Sequence, residues 1–241
     1  MSLLHNPIKT LLSRASATQV NVVPVAVVPM TQELVTKWHD NVQPLIDAHY
    51  QHWAAGIPEE LVRADKGWNW HKNFLLLALH NTAYAGGRKT HGEGLAMCIV
   101  LRSLDGSEEF PIGMLTTVPK LHSNIYRQIR HRAITWYLSD APDEVYRQIF
   151  KIPTVQMVAR ALVDCSIQAA LDEGEDGSLV LKADDAGGAK LDKFYRRCGM
   201  QNLPKGHPPV TPFFRRSKPE RYYHFLAHEA QAYAAFYNPR R

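Results

Sequence analysis

A few side chains among the 241 residues have the type and spacing to do chemistry. Three carboxylates, Asp140, Asp143 and Glu144, crowd the end of an apolar run, where a carboxylate held against a substrate can take up a proton. In a polar loop the same charges would be solvated and idle. Tyr195 stands before Gly199 in Lys193-Phe-Tyr-Arg-Arg-Cys-Gly-Met200, a phenol on a short helix that the glycine would end in a left-handed cap. Trp68, Trp70 and His71 follow Gly67 closely, a spacing that suits either a binding surface or the packing of a lid.

Other constellations carry less. His49 and His52 share a helical face, but with no HExxH pattern or cysteine ligands nearby no metal is expected. Cys98, Cys165 and Cys198 form no CxxC pair, so neither a disulfide framework nor a cysteine zinc site is expected. Cys165 lies between apolar residues of a helix and Cys198 at a helix end, which predicts inert thiols. A GxSxG elbow, a Walker loop and a dinucleotide fingerprint are absent, arguing against hydrolase, kinase and dehydrogenase chemistry.

These residues need elements to hold them. Residues 1–20 read as an N-terminal arm or frayed helix, with a weak helical pattern at Ile8, Leu11 and Leu12. Val22 to Val28 reads as a strand, and Thr31 as the N-cap of an amphipathic helix bearing Leu34, Trp38, Val42, Leu45 and Ile46. Pro58 to Ala64 reads as a second helical stretch, and Phe74 to Leu79 as a buried element that fits helix or strand. Gly86-Gly87 marks a loop, and Leu95 to Leu101 and Pro111 to Val118 bracket Asp105-Gly106, a hairpin signal. A strand over Ala133 to Leu138 precedes a long helix from about Thr154 to Glu173, with Val155, Val158, Leu162, Val163, Ile167 and Leu171 on one face. Then come a strand at Leu179 to Ala183, the short helix ending at Cys198-Gly199, a proline-rich loop through Pro209, and strands at Thr211 to Arg215 and Arg221 to Leu226. The order demands an α/β fold, a mixed, mostly antiparallel central sheet flanked by helices, with 21–241 forming one domain.

Composition limits the partners. A net charge of +5 and a pI near 9.1 come from scattered residues, which suits an anionic ligand, whereas nucleic acid is not expected without a concentrated basic face. No apolar run is long enough to span a membrane and no signal-peptide pattern opens the chain, so a cytoplasmic location is expected.

Tyr195, Gly199 and Met200 match a tyrosine, three variable residues, a glycine and an apolar residue, closing a short helix that follows a strand that follows a long helix. On that motif and order the chain resembles the GNAT superfamily of acyl-CoA-dependent N-acetyltransferases over roughly Val22 to Leu226. Gly113 sits where members often have a glycine, and Gly67, Trp68 and Trp70 are similar to a Gly-Trp-x-Trp segment of some bacterial members. The resemblance implies a GNAT-like acyltransferase fold and direct attack of a primary amine on acetyl-CoA, without metal, in a V-shaped opening between the fourth and fifth strands. It implies Tyr195 as proton donor to the departing thiolate, phenol and thiol having comparable acidities. Asp140, Asp143 or Glu144 would take the amine's proton, directly or through water. Leu138, Met157, Val158, Ala159, Arg160 and Tyr195 would contact the acyl-CoA, and Trp68, Trp70 and His71 would line the site of a small-molecule or peptide amine.

The family's pyrophosphate loop, Arg or Gln, two residues, Gly, one residue, Gly or Ala, has no glycine here. One register sets Thr154, Met157 and Ala159 at its defined positions, and a shifted one sets Gln156, Ala159 and Ala161 there. Backbone N–H groups and the dipole at a helix N-terminus hold phosphate, and glycine lets the backbone come close. Met157 crowds that approach unless it turns away, while Lys151 and Arg160 add positive charge. Two functions follow: an N-acetyltransferase, or a GNAT-like binding or interaction module that has lost efficient acyl-CoA binding. A homodimer paired through the aromatic stretch Tyr222 to Tyr237 is a further expectation.

Overall fold

The computed structural model describes residues 3–14, 19–85, 92–103, 106–204, 207, 210 and 221–241. Gly86-Gly87, Asp105, Pro209 and the strand expected at Thr211 to Arg215 lie outside them. The first residues form a strand, β1 (Thr10–Arg14), not a frayed helix, and Leu4, Ile8 and Leu11 are buried. The valine-rich run is two strands, β2 (Val20–Pro24) and β3 (Ala26–Pro29), which join different sheets. Pro24 cannot donate to a ladder, so the run changes partners there.

Helix α1 (Gln32–Asn41) begins at Thr31, whose Oγ accepts the Leu34 N–H at 3.2 Å. The apolar pattern continues into α2 (Gln43–His49), a separate helix with Pro44 in its first turn. Of the stretch 58–64 only Glu59–Leu61 makes a helical turn. The ambiguous apolar segment is helical, inside α3 (Trp70–Ala85).

The expected hairpin is β4 (Leu95–Arg102) and β5 (Glu109–Ile125), antiparallel throughout, and β5 pairs in turn with β6 (Gln128–Asp140). After β6 come a short helix, α4 (Asp143–Val145), a π-helical turn (Tyr146–Phe150) and a two-residue strand, β7 (Val155–Gln156). The long helix α5 (Val158–Asp172) therefore starts later than its periodicity suggests. Val155, β-branched, goes to β7, which pairs with β1 at Leu12↔Gln156 and Ser13↔Val155. The rest is β8 (Leu179–Lys182), α6 (Gly188–Arg197), β9 (Gln201–Asn202), β10 (Tyr222–Phe225) and a helix the sequence reading lacked, α7 (Ala227–Ala235).

Among the described residues the strands form a seven-stranded sheet, β3-β4-β5-β6-β8-β10-β9, and a three-stranded one, β2-β1-β7. Every pair is antiparallel except β6 with β8. Helices α1 and α3 pack on β5, and α5 lies along β5 and β6. Gly113 on β5 makes that docking close: a Cβ there would meet Val158 Cγ1 at 2.8 Å and Leu162 Cδ1 at 3.2 Å. The mixed, mostly antiparallel sheet flanked by helices is thus as the sequence pattern demands.

Candidate active site

Strands β6 and β8 run parallel but pair only at Ala133↔Leu179, Ile134↔Val180 and Thr135↔Leu181. Residues 136–140 of β6 extend past the end of that ladder, and among the described residues no strand pairs with 136–139 on the β8 side. Some of the expected site residues meet β6 here: Leu138 packs on the two apolar clusters that take Val158 and Tyr195, and Trp68 meets Tyr137.

Helix α5 opens there, on Met157, whose left-handed backbone (φ 69°) ends β7 and sets the helix direction. The N–H groups of Val158, Ala159 and Arg160 precede the first intrahelical donor, Ala161, which bonds the Met157 carbonyl at 2.8 Å, so they are available to an anion. The Met157 side chain packs against the main apolar cluster, which also takes Val158. Part of the side chain is thus taken up by the core. Leu138, on β6, touches both large apolar clusters. Arg160 does not stand free: its Nη2 donates to the Arg197 carbonyl at 2.9 Å, and its own carbonyl accepts from the Tyr233 hydroxyl at 2.9 Å. This bond ties the first turn of α5 to the last turn of α6, the turn that carries Tyr195.

Tyr195 is 7% exposed, with its ring 5.1 Å from Tyr223 and 5.3 Å from Phe194. Burial, reinforced by nearby Cys198 and Asp184, pushes its phenol up, so the near-equality with a thiol that the resemblance implies is lost. A phenol in that state donates a hydrogen bond and keeps its proton.

At the end of β6, Asp140 keeps 40% of its side chain exposed. Burial and the neighbouring Asp65 raise its carboxyl above the ordinary range, against the opposing pull of Arg63, and solvent screening moderates the shift. Glu144 differs. Burial would raise it, but backbone and Tyr50 hydrogen bonds and Arg147 hold it below the usual range. Its oxygens are engaged, by the Tyr50 hydroxyl at 2.9 Å and Arg147 at 2.8 Å. Of the two, Asp140 is the more exposed, and its carboxyl is the one raised above the ordinary range. Asp143 opens α4 beside them.

The tryptophans divide. Trp70 is 1% exposed, edge-on to Trp38 at 6.3 Å, a core residue. Trp68 is half-buried and meets Tyr137 of β6 edge-on at 5.2 Å, so it lies near the gap. His71 turns toward α1, where its Nδ1 is 2.7 Å from Gln32 Nε2.

Sequence reasoning missed Arg63, Asp65, Tyr50 and Lys190. Arg63 forks onto Asp65 (2.8 and 2.7 Å) and also donates to the Asp140 carbonyl at 2.7 Å and to its Oδ1 at 3.1 Å. Ser139 Oγ donates to Asp65, whose carboxyl stays low because Arg63 and Ser139 outweigh its burial. Lys190 of α6 donates to the carbonyls of Val62 (2.8 Å) and Glu60 (3.2 Å). The signal lay in the spacing: residues two apart share a side of an extended chain, and 62–65 is extended or turn instead of helix.

The aromatic stretch expected to pair two copies is largely spent inside the fold, since Tyr223, Phe225 and Tyr237 are buried and Phe236 is exposed. No helix among the described residues is long and apolar enough to cross a membrane.

Neither a family model nor a curated protein sequence matches the chain. Among solved structures, it is similar to a mutant AtaT toxin bound to the C-terminus of the antitoxin AtaR and acetyl-CoA, at 12% identity and TM-score 0.45, over 89% of this chain and 98% of that one. An uncharacterized protein from Bacillus halodurans gives 12% identity and TM-score 0.43, over 96% and 97%. The KacTA–DNA complex gives 14% identity and TM-score 0.40, over 78% and 93%. At such identities and scores, what the site can do rests on its own residues.

Proposed function

We propose that the protein is an acyl-CoA-dependent N-acetyltransferase that passes an acetyl group from acetyl-CoA to the primary amine of a small molecule or peptide. The reading is supported above all by the parting of the parallel pair β6 and β8 after Thr135, beside the open first turn of α5. The free edge of β6 suits an amide-bearing chain, and the α5 N–H groups suit its phosphates. When bound, acetyl-CoA supplies the activated acyl carbon. The amine nitrogen attacks that carbonyl, the C–N bond forms and the C–S bond breaks. Asp140, directly or through water, takes the proton the nitrogen sheds; the sulfur leaves as a thiolate that accepts a hydrogen bond from the Tyr195 hydroxyl and is then protonated from solvent, to which Asp140 returns its proton.

Calorimetric titration with acetyl-CoA and CoA tests the donor side, with Met157→Gly for comparison. Glycine adopts the left-handed backbone that Met157 adopts at a cost of about 1 kcal/mol, so it should bind at least as well as the wild type. Binding by both supports the enzyme. Binding by Met157→Gly alone points to the interaction module, and binding by neither ends the acyl-CoA reading.

A further inference from the structure

Arg63 lies between two carboxylates in different states. One, Asp65, is buried and fully engaged by Arg63 and Ser139. The other, Asp140, is half-exposed and touched by Arg63 at its carbonyl and Oδ1. An apolar pair of the same volume would hold residues 63 and 65 in place without the desolvation cost of a buried ion pair, so reinforcement alone is a weak reason for this arrangement. The segment around Arg63 is itself fixed at both ends. Trp53 N–H donates to the Ala186 carbonyl at 2.7 Å, Lys190 holds the carbonyls of Glu60 and Val62, and the Arg63 guanidinium lies 5.4 Å over the Tyr50 ring. Residues 50–65 thus connect the start of α6, the helix that carries Tyr195, to the end of β6.

We propose that Arg63 is the positioning residue of the amine side: braced by Asp65, it holds the half-exposed Asp140 carboxylate where it can receive the proton of the attacking amine. The inference rests on the acyl-transfer reading. The charged and titratable groups that bear on Asp140 are Arg63 and Asp65 from the 50–65 segment, Lys190 from α6 and Tyr146 from the π-helical turn. Arg63 opposes the upward push that burial and Asp65 exert on the carboxyl.

Two measurements test this. The first is a carboxyl carbon NMR titration of Asp140, assigned with Asp140→Asn, in wild type, Arg63→Lys and Arg63→Gln. Arg63→Gln should raise the Asp140 midpoint by about one unit or more, and Arg63→Lys by less. The second is acetyl transfer to spermidine, a lysine peptide and a free peptide α-amine. Arg63→Gln should lower turnover about tenfold in the wild-type background and less than about twofold on Asp140→Asn, because Arg63 acts through Asp140. An unmoved midpoint, or the same fold loss on both backgrounds, overturns the proposal. Should Arg63→Gln fail to fold, Arg63→Lys carries both comparisons. A shifted midpoint with no transfer to any of the three amines supports the hold on Asp140 and overturns the enzyme reading, so the two failures are told apart.

Discussion

At Tyr195 the protein sets a phenol among Tyr223, Phe194 and apolar side chains, where its anion is strongly disfavoured. The hydroxyl therefore stays protonated across the physiological range, and its contribution to acyl transfer is a hydrogen bond that strengthens as charge builds on sulfur. Tyr195→Phe should lower acetyl transfer by about tenfold or more while leaving acetyl-CoA affinity within about twofold, read from steady-state kinetics beside calorimetry. Unchanged turnover would remove Tyr195 from the mechanism. The same burial makes Cys165 and Cys198 poor nucleophiles, their thiols pushed up by desolvation, in line with the inert thiols read for both from the sequence, and Cys98 is pushed up likewise. Which site residues were legible follows from how they are held. Tyr195 and Asp140 announce themselves through local context, a helix end and a strand end. Arg63 reaches Asp140 across 77 residues of chain, and Tyr50 reaches Glu144 across 94, contacts that no local pattern encodes.

At the scale of elements, what matters is where α5 starts and how closely it lies on β5. Its first turn must stand beside the end of β6, and Gly113 permits this by leaving no Cβ against Val158 and Leu162. The nearer neighbour, Val158 Cγ1, belongs to a β-branched side chain with little rotamer freedom in a helix, so Gly113→Ala has to push the helix off the sheet. A loss of about 1–3 kcal/mol is expected from denaturant unfolding, together with weaker acetyl-CoA binding, since the helix start moves with the clash. Full stability and affinity in this variant would mean that the docking is looser than the distances indicate. The Thr31 cap is a simpler case: Thr31→Ala should cost about 1 kcal/mol in the same measurement, with acetyl-CoA affinity unchanged. The Thr31 cap, the hairpin of β4 with β5 and the glycine end of α6 were all readable, because each rests on neighbours in sequence. The start of α5 was not. Val155 fits the apolar face of a helix, yet it pairs with Ser13 of a strand that the sequence presents only as a weakly patterned arm. Tertiary pairing overrides local periodicity there, and by holding residues 155–156 extended it places the Met157 turn.

Across the whole molecule, segments far apart in the chain close on a buried ion pair. Arg241 Nη2 meets Asp164 of α5 at 2.7 and 2.8 Å, and Arg241 Nη1 donates to the Asn6 carbonyl at 2.6 Å. Beside it, Lys9 N–H donates to the Arg240 carbonyl at 2.7 Å, so residues 6–9 are laced to residues 240–241 over the middle of α5. Desolvation pushes the Asp164 carboxyl up to about 6 despite Arg241, from an ordinary value of 3.8. The folded state then binds the proton more tightly than the unfolded chain does. Stability from this group is therefore greatest below pH 3.8 and falls as pH rises to about 6, by about 3 kcal/mol in all. Arg241 limits that fall by compensating the carboxylate. Arg241→Met should cost about 3–5 kcal/mol at pH 8, where Asp164 is left charged and unpaired. At pH 5 the carboxyl can take a proton instead, so the difference between variant and wild type should shrink by at least about half. Thermal unfolding of both proteins at the two pH values makes the comparison, with other carboxylates cancelling between them. An equal loss at pH 5 and pH 8 would mean that Arg241 stabilises through its bond to Asn6 and its packing, and that the charge of Asp164 is balanced elsewhere.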